Sequence, residues 1–175
     1  MKPDAITAEK RPYRARKMFQ NEWVYGFHSV TFPNAADWRG GIREDPPRCD
    51  VIIEEKRGHV VYIPVDHSTI GRYTGLEDSR KKPIYEGDII SVRANGKEEY
   101  RFVVMFGRCG GVQNTEHEVG YVGFYFAPAN EETRRCFRYS LRDDPVYWMN
   151  AYEEVLVIGN RWDDAVLIEG GEDQK

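Results

Sequence analysis

The sequence predicts a mainly β protein, with an N-terminal β-layer followed by a small barrel or sandwich. Three observations carry that prediction. β-Branched and aromatic residues gather in short runs, glycine, proline, asparagine and aspartate separate the runs at even spacing, and only residues 150–154 and 163–168 look able to make a turn of helix. Short strands separated by turn signals bury an apolar face by packing sheet on sheet or by curling one sheet around its own core.

The elements follow in order. Residues 10–17 carry a basic cluster, Lys10, Arg11, Arg14, Arg16 and Lys17, which reads as an arm for nucleic acid or, more plainly, as a solvated charge run. Residues 22–32 hold Trp23, Val24, Tyr25, Phe27, Val30 and Thr31 and read as a strand, with Gly26 marking a bulge or a close backbone approach. Residues 34–48 contain Gly40-Gly41 and Pro46-Pro47 and form a loop, in which Trp38 is the best candidate for an exposed anchor. Residues 50–55 and 59–65 make a hairpin around Lys56-Arg57-Gly58, and Pro64 places the end of the second strand at an edge or at its exit, because proline cannot donate to a ladder.

Next comes the densest stretch, Tyr73-Thr74-Gly75-Leu76, a charged excursion over residues 77–82, and Pro83-Ile84-Tyr85-Glu86-Gly87-Asp88-Ile89-Ile90. Gly87-Asp88 reads as a shaped turn into the strand over residues 89–92, since glycine supplies a positive φ and aspartate bonds to nearby backbone N–H groups. Asn95-Gly96 is the strongest short-range hairpin signal, and the return strand over residues 98–106 sets Tyr100, Phe102, Val104 and Phe106 on a core face against Arg101, Val103 and Met105 on the other. Residues 107–118 read as a loop and 119–127 as an aromatic strand. Residues 134–142 alternate with period two, placing Arg134, Arg138 and Arg142 on one face, and residues 153–158 before Gly159-Asn160 close the set.

Composition narrows the function classes. The 175 residues carry 29 acidic and 25 basic side chains, a net charge of −4, so recruitment of nucleic acid or anionic lipid would need a local patch. The opening has no apolar export segment and no apolar run approaches a membrane span, which makes a cytoplasmic location the expectation. Cys49, Cys109 and Cys136 are odd in number and scattered; we expect reduced thiols, with Cys49 and Cys136 partly buried. No nucleotide-binding glycine loop, serine elbow or zinc-protease signature is present, and the histidines are far apart, with Cys109 and His117 making at most half a metal site. Asp143-Asp144 and Asp163-Asp164 read as turn residues. We therefore expect no catalytic residues, no metal and no cofactor.

The series Tyr73-Thr74-Gly75-Leu76, Ile84-Tyr85-Glu86-Gly87-Asp88-Ile89 and Val157-Ile158-Gly159-Asn160, with Trp23-Val24-Tyr25-Gly26 near the start, resembles the YopX family of phage and prophage proteins. Where that family has a short Asn-Gly turn, this chain has Ser79-Arg80-Lys81-Lys82. The resemblance implies an SH3-like barrel for the C-terminal half and brings no catalytic motif with it. The expected organisation is a β-rich subdomain over residues 1–68, the barrel over 69–168 and a fraying tail over 169–175. The leading expectation is a non-enzymatic interaction or self-assembly module that forms a homo-oligomer and meets phage or host proteins. A nucleic-acid binder using Arg14, Arg16 and the arginines at 134, 138 and 142 is the alternative, and an undetected enzyme is the weakest reading.

Overall fold

The computed structural model describes residues 11–31, 49–94, 98–109, 121–137 and 154–168. The fold is mainly β, in two antiparallel sheets, and the chain divides into two compact units, Met1–Tyr73 and Thr74–Lys175. Neither sheet closes on itself among the described residues. Among those residues, too, no helix is long and apolar enough to cross a membrane.

The first unit contains β1 (Tyr13–Arg16), β2 (Trp23–Thr31), β3 (Cys49–Lys56) and β4 (His59–Pro64), and β5 (Gly71–Glu77) begins in it. The strand order is β4-β3-β2-β1-β5. The basic cluster is thus no free arm: Arg14 and Arg16 belong to β1, which pairs Ala15 with Val24 and Arg14 with Tyr25. Alternation puts Ala15, Val24 and Ile52 on one face, where they form a small core with Val65. Gly26 marks the close approach expected of it, because a Cβ there would strike the Ile53 carbonyl and the Ile52 side chain. At the β3–β4 hairpin both Arg57 (φ 54°) and Gly58 (φ 78°) take the left-handed conformation, the twist that two-residue hairpin loops require.

A seam gathers the far ends of this sheet. Lys17 bridges to Val65, Met18 N–H donates to the Pro64 carbonyl (3.0 Å) and Asp66 N–H to the Arg16 carbonyl (2.9 Å). Asp66 then caps a 3₁₀ turn, His67–Thr69, by accepting from Ser68 N–H.

The second unit contains the remainder of β5, β6 (Pro83–Tyr85), β7 (Asp88–Ala94), β8 (Glu98–Cys109), β9 (Tyr121–Pro128), the helix α1 (Glu131–Cys136) and β10 (Glu154–Asn160). Four of these strands form a sheet in the order β10-β7-β8-β9. Both of its faces are covered: Ile90, Val92, Phe102, Val104, Phe126 and Val155 pack with Ile84 on one side, and Ile89, Val103 and Ala129 pack under Ile158, Leu167 and Ile168 on the other. The core face expected for β8 is therefore correct for Phe102 and Val104, while its opposite face is also occupied. The β7–β8 register runs to Ala94 opposite Glu98; the Asn95-Gly96 turn itself lies outside the described residues.

Several expectations are corrected here. Residues 134–136, expected to open a strand, belong to α1: the Asn130 side chain accepts from Thr133 N–H, Glu131 and Glu132 occupy the first turn, and Arg134 and Arg135 the last. Phe137 ends the helix and lays its ring against Tyr100 (4.9 Å) and Phe102 (5.4 Å), so the packing contact, and not the alternation, decides this segment. Cys136 is exposed on that helix, whereas Cys49 is half-buried as expected, and both are free thiols. The strand β8 continues to Cys109, through the start of the expected loop. Glu154 opens β10 in place of ending a helical turn, and the turn expected over 163–168 is the 3₁₀ segment Ala165–Leu167.

Candidate interaction surface

The first unit leaves large apolar side chains outside. Along the face opposite its core, Phe27 of β2 pairs with Ile53 of β3, and Ile53 with Tyr62 of β4, so three apolar side chains cross the sheet in one row. Phe27 is 64% exposed, and Tyr62 and Val60 are each 59% exposed. A single exposed apolar residue is ordinary, but a row of them that ends on an outer strand is the composition of a contact surface.

The backbone of β4 adds direction. Val65 N–H donates to the Asp50 carbonyl (3.0 Å), and hydrogen-bonding direction alternates along an antiparallel strand. His59, Val61 and Ile63 therefore turn their polar groups toward β3, while Val60, Tyr62 and Pro64 turn theirs outward. The Pro64 carbonyl is taken by Met18 at the seam. Those of Val60 and Tyr62 meet no partner among the described residues.

Beside the seam lies a cleft of about 750 Å³ lined in part by Lys17, Phe19, Asp50 and His67. Phe19 holds a left-handed φ of 63° and is 97% exposed, an arrangement that costs backbone strain and presents the ring to solvent. Asp50 accepts from His28 Nε2 (2.7 Å) and from His67 Nδ1 (3.0 Å), which clasps the 3₁₀ turn to β3. Burial of the carboxylate pushes its pKa up, but the hydrogen bonds and charges of the two imidazoles outweigh this and hold it below the ordinary aspartate value. The neighbouring Cys49 thiol points at the Asp50 carbonyl (3.7 Å). Among the described residues no group of three histidine, cysteine or acidic side chains is placed to hold a metal ion.

Apart from Tyr73 and residues 23–26, which belong to the first unit, the motif residues singled out in the sequence gather in the second unit as a structural hub. Thr74 Oγ1 donates to the Ile84 carbonyl (2.8 Å) and accepts from Leu76 N–H (3.1 Å), while Leu76 packs against the core. Gly75 has φ 85°, and Tyr73 N–H donates to Pro12. Tyr85 N–H donates to the buried Asp88 carboxylate (2.7 Å), across half-buried Glu86 and buried Gly87. Gly87 takes φ 83°, and a Cβ on it would enter the Trp162 ring. Its carbonyl accepts from Arg161 N–H (2.9 Å), which joins this motif to the Gly159-Asn160 one. Asn160 Oδ1 in turn accepts from the N–H groups of Trp162 and Asp163. In the charged excursion, Asp78 accepts from Arg80, Lys82 and Val157 N–H groups, and Lys81 supplies the left-handed residue (φ 67°) in place of a glycine.

Arg14, Arg16 and Arg134 are the described members of the arginine set singled out in the sequence. Arg14 is buried and stacks over Trp23 at 5.0 Å, with Arg16 over the same ring at 5.5 Å. Arg134 pairs with Glu131 within α1 (3.2 Å). Arg138, Arg142 and Trp38 lie outside the described residues, as does the Cys109–His117 pair as a unit. The reading of residues missed Phe27, Tyr62, Phe19 and the Asp50 clasp. Pro64 was the available signal for the edge, whereas the clasp joins residues on three separate segments and leaves no local pattern.

No curated protein and no solved structure matches the chain. A family model described as YopX protein matches residues 12–169, nearly the whole chain, and the chain therefore belongs to the YopX family.

Proposed function

We propose that this YopX-family chain is a non-enzymatic protein-interaction or self-assembly module, and that its contact surface is the outer face and edge formed by β2, β3 and β4. The observation that carries the reading is the Phe27–Ile53–Tyr62 row, which ends on a strand whose outward backbone groups at Val60 and Tyr62 are unmet among the described residues. The proposal takes the second unit as the scaffold, an SH3-like barrel in the sense the family implies, and a phage or host protein in the bacterial cytoplasm as the partner class. A nucleic-acid reading has less support, because Arg14 and Arg16 stack on Trp23 and Arg134 is ion-paired. Salt-dependent binding of an oligonucleotide would reinstate it.

The test compares the wild type with Phe27→Asp. Both are purified from the native host, and their solution masses, co-purifying proteins and ultraviolet absorbance ratios are measured. The wild type should associate with protein, and Phe27→Asp should lose that association while keeping its melting curve. An unchanged association in the variant would show that this face is not the surface.

A further inference from the structure

We infer that the charged turn over residues 79–82 is a contact site for the phosphate backbone of nucleic acid, made by Arg80, Lys81 and Lys82. The site lies in the second unit and goes beyond the interaction reading, which concerns the first. Other residues do the structural work of this turn. It covers the outer edge of β10, where Ser79 N–H donates to the Val155 carbonyl (2.8 Å), Ser79 Oγ accepts from Val155 N–H (2.9 Å) and Asp78 accepts from Val157 N–H (3.1 Å). Asp78 also fixes the turn's own backbone: one carboxylate oxygen takes the N–H groups of Arg80 (2.8 Å) and Lys82 (2.9 Å), and its carbonyl takes that of Lys81 (2.9 Å). The three cationic side chains have no part in this. All are exposed, and none makes an ion pair or a hydrogen bond with a described residue.

The acids beside the turn are already engaged. The Asp78 carboxylate is buried and bonded to backbone N–H groups, Glu154, next to Val155, pairs with Arg93 (3.2 Å), and Glu77 has a partner of its own. A chain of net charge −4 thus holds three adjoining cations on a fixed stretch of backbone. Lys81, at the middle of the three, has a left-handed φ of 67°. Glycine would take that conformation without strain, so the lysine keeps a charge at the tip of the turn at the expense of the backbone.

The chemistry of the turn selects the ligand. Its exposed residues are Ser79, Arg80, Lys81 and Lys82, which offer none of the apolar centre that a protein contact buries. Backbone N–H groups that could have made a nest for a small anion are taken by Asp78. What the turn presents is positive charge on long side chains, the means by which proteins hold a phosphodiester strand irrespective of its sequence. In this it differs from Arg14 and Arg16, which stack on Trp23, and from Arg134, which is paired with Glu131.

The experiment is a fluorescence anisotropy titration of the full chain against a labelled DNA duplex and a labelled polyglutamate peptide of equal charge, over a series of salt concentrations. The wild type should bind the duplex at low ionic strength, with a log–log salt slope of about −2 to −3 for three phosphates neutralised. The double variant Arg80→Gln, Lys82→Gln should lose about tenfold in affinity at low salt and flatten the slope by about 2, with an unchanged melting curve. Lys81→Gly should flatten it by about 1 while melting no lower than the wild type, an outcome that a merely structural lysine does not give. A wild type without salt-dependent binding, or a slope indifferent to these substitutions, overturns the inference. Polyglutamate bound as tightly as the duplex also overturns it and assigns the turn to an acidic protein segment. Phe27→Asp should bind the duplex as the wild type does, so that this site and the apolar row of the first unit stand or fall separately.

Discussion

The two units use their apolar residues in opposite ways. The second buries Phe102 and Phe126 among isoleucines and valines and covers its sheet on both faces. The first buries a core of Ala15, Val24, Ile52 and Val65 and leaves Phe19, Phe27, Val60 and Tyr62 in solvent. It compensates with contacts that need no thick core: guanidinium groups on Trp23, the Asp50 clasp and the seam between Lys17 and Val65. Most of the family's motif residues lie in the second unit, where burial is deepest, and the exposed apolar row lies in the first. The difference teaches that most of the recognisable wording of this sequence marks its better-packed unit, while the exposed apolar row is written in ordinary strand residues.

The comparison can be broken most sharply at Gly87. Gly87→Val forces a β-branched residue into left-handed backbone and a methyl into Trp162, and should cost about 2–5 kcal/mol by denaturant unfolding. A wild-type midpoint for that variant would dissolve the hub. Phe102→Ala follows, at about 3 kcal/mol or more for a fully buried ring; if it cost no more than a surface change, the second unit would not be the better packed of the two.

Asp50→Asn tests the first unit's dependence on charge. Because the folded pKa lies below the ordinary value near 3.8, the carboxylate's contribution is fully present above that pH and disappears as pH falls through the lower, folded value. The asparagine variant should therefore melt below the wild type at neutral pH, with the gap closing in strong acid; melting curves over the acid range check this, and a gap that is constant with pH would remove charge as its cause. Smallest in stability is Phe27→Asp, within about 0.5 kcal/mol because the ring is mostly exposed. A large drop in its melting temperature would mean that Phe27 is a core residue of the first unit after all.

Local chemistry made much of the fold legible. The alternation of Phe102 and Val104, the Gly58 hairpin, the tight approach at Gly26 and the turn at Gly87 each depend on a few adjacent residues, and each stands in the structure. Residues 134–136 depart from the expected strand for a physical reason. Arg134, Cys136 and the residues after them alternate like a strand, but Asn130 with Glu131 and Glu132 is a helix start, and the Phe137 contact with Tyr100 and Phe102 settles the competition. Strand β1 was hidden likewise, since four residues rich in arginine show no apolar period until Trp23 is beside them.

By itself, then, the sequence determined the mainly β class, the turns at Gly58 and Gly87 and the family, because positive φ and period-two alternation are properties of neighbouring residues. Only the tertiary structure decided which strand became the edge, that His28 and His67 meet on Asp50, and that Phe27, Ile53 and Tyr62 line up in one exposed row. Those facts depend on register between segments distant in the chain, and a shift of one residue would turn each of these side chains to the other face while leaving every local pattern intact.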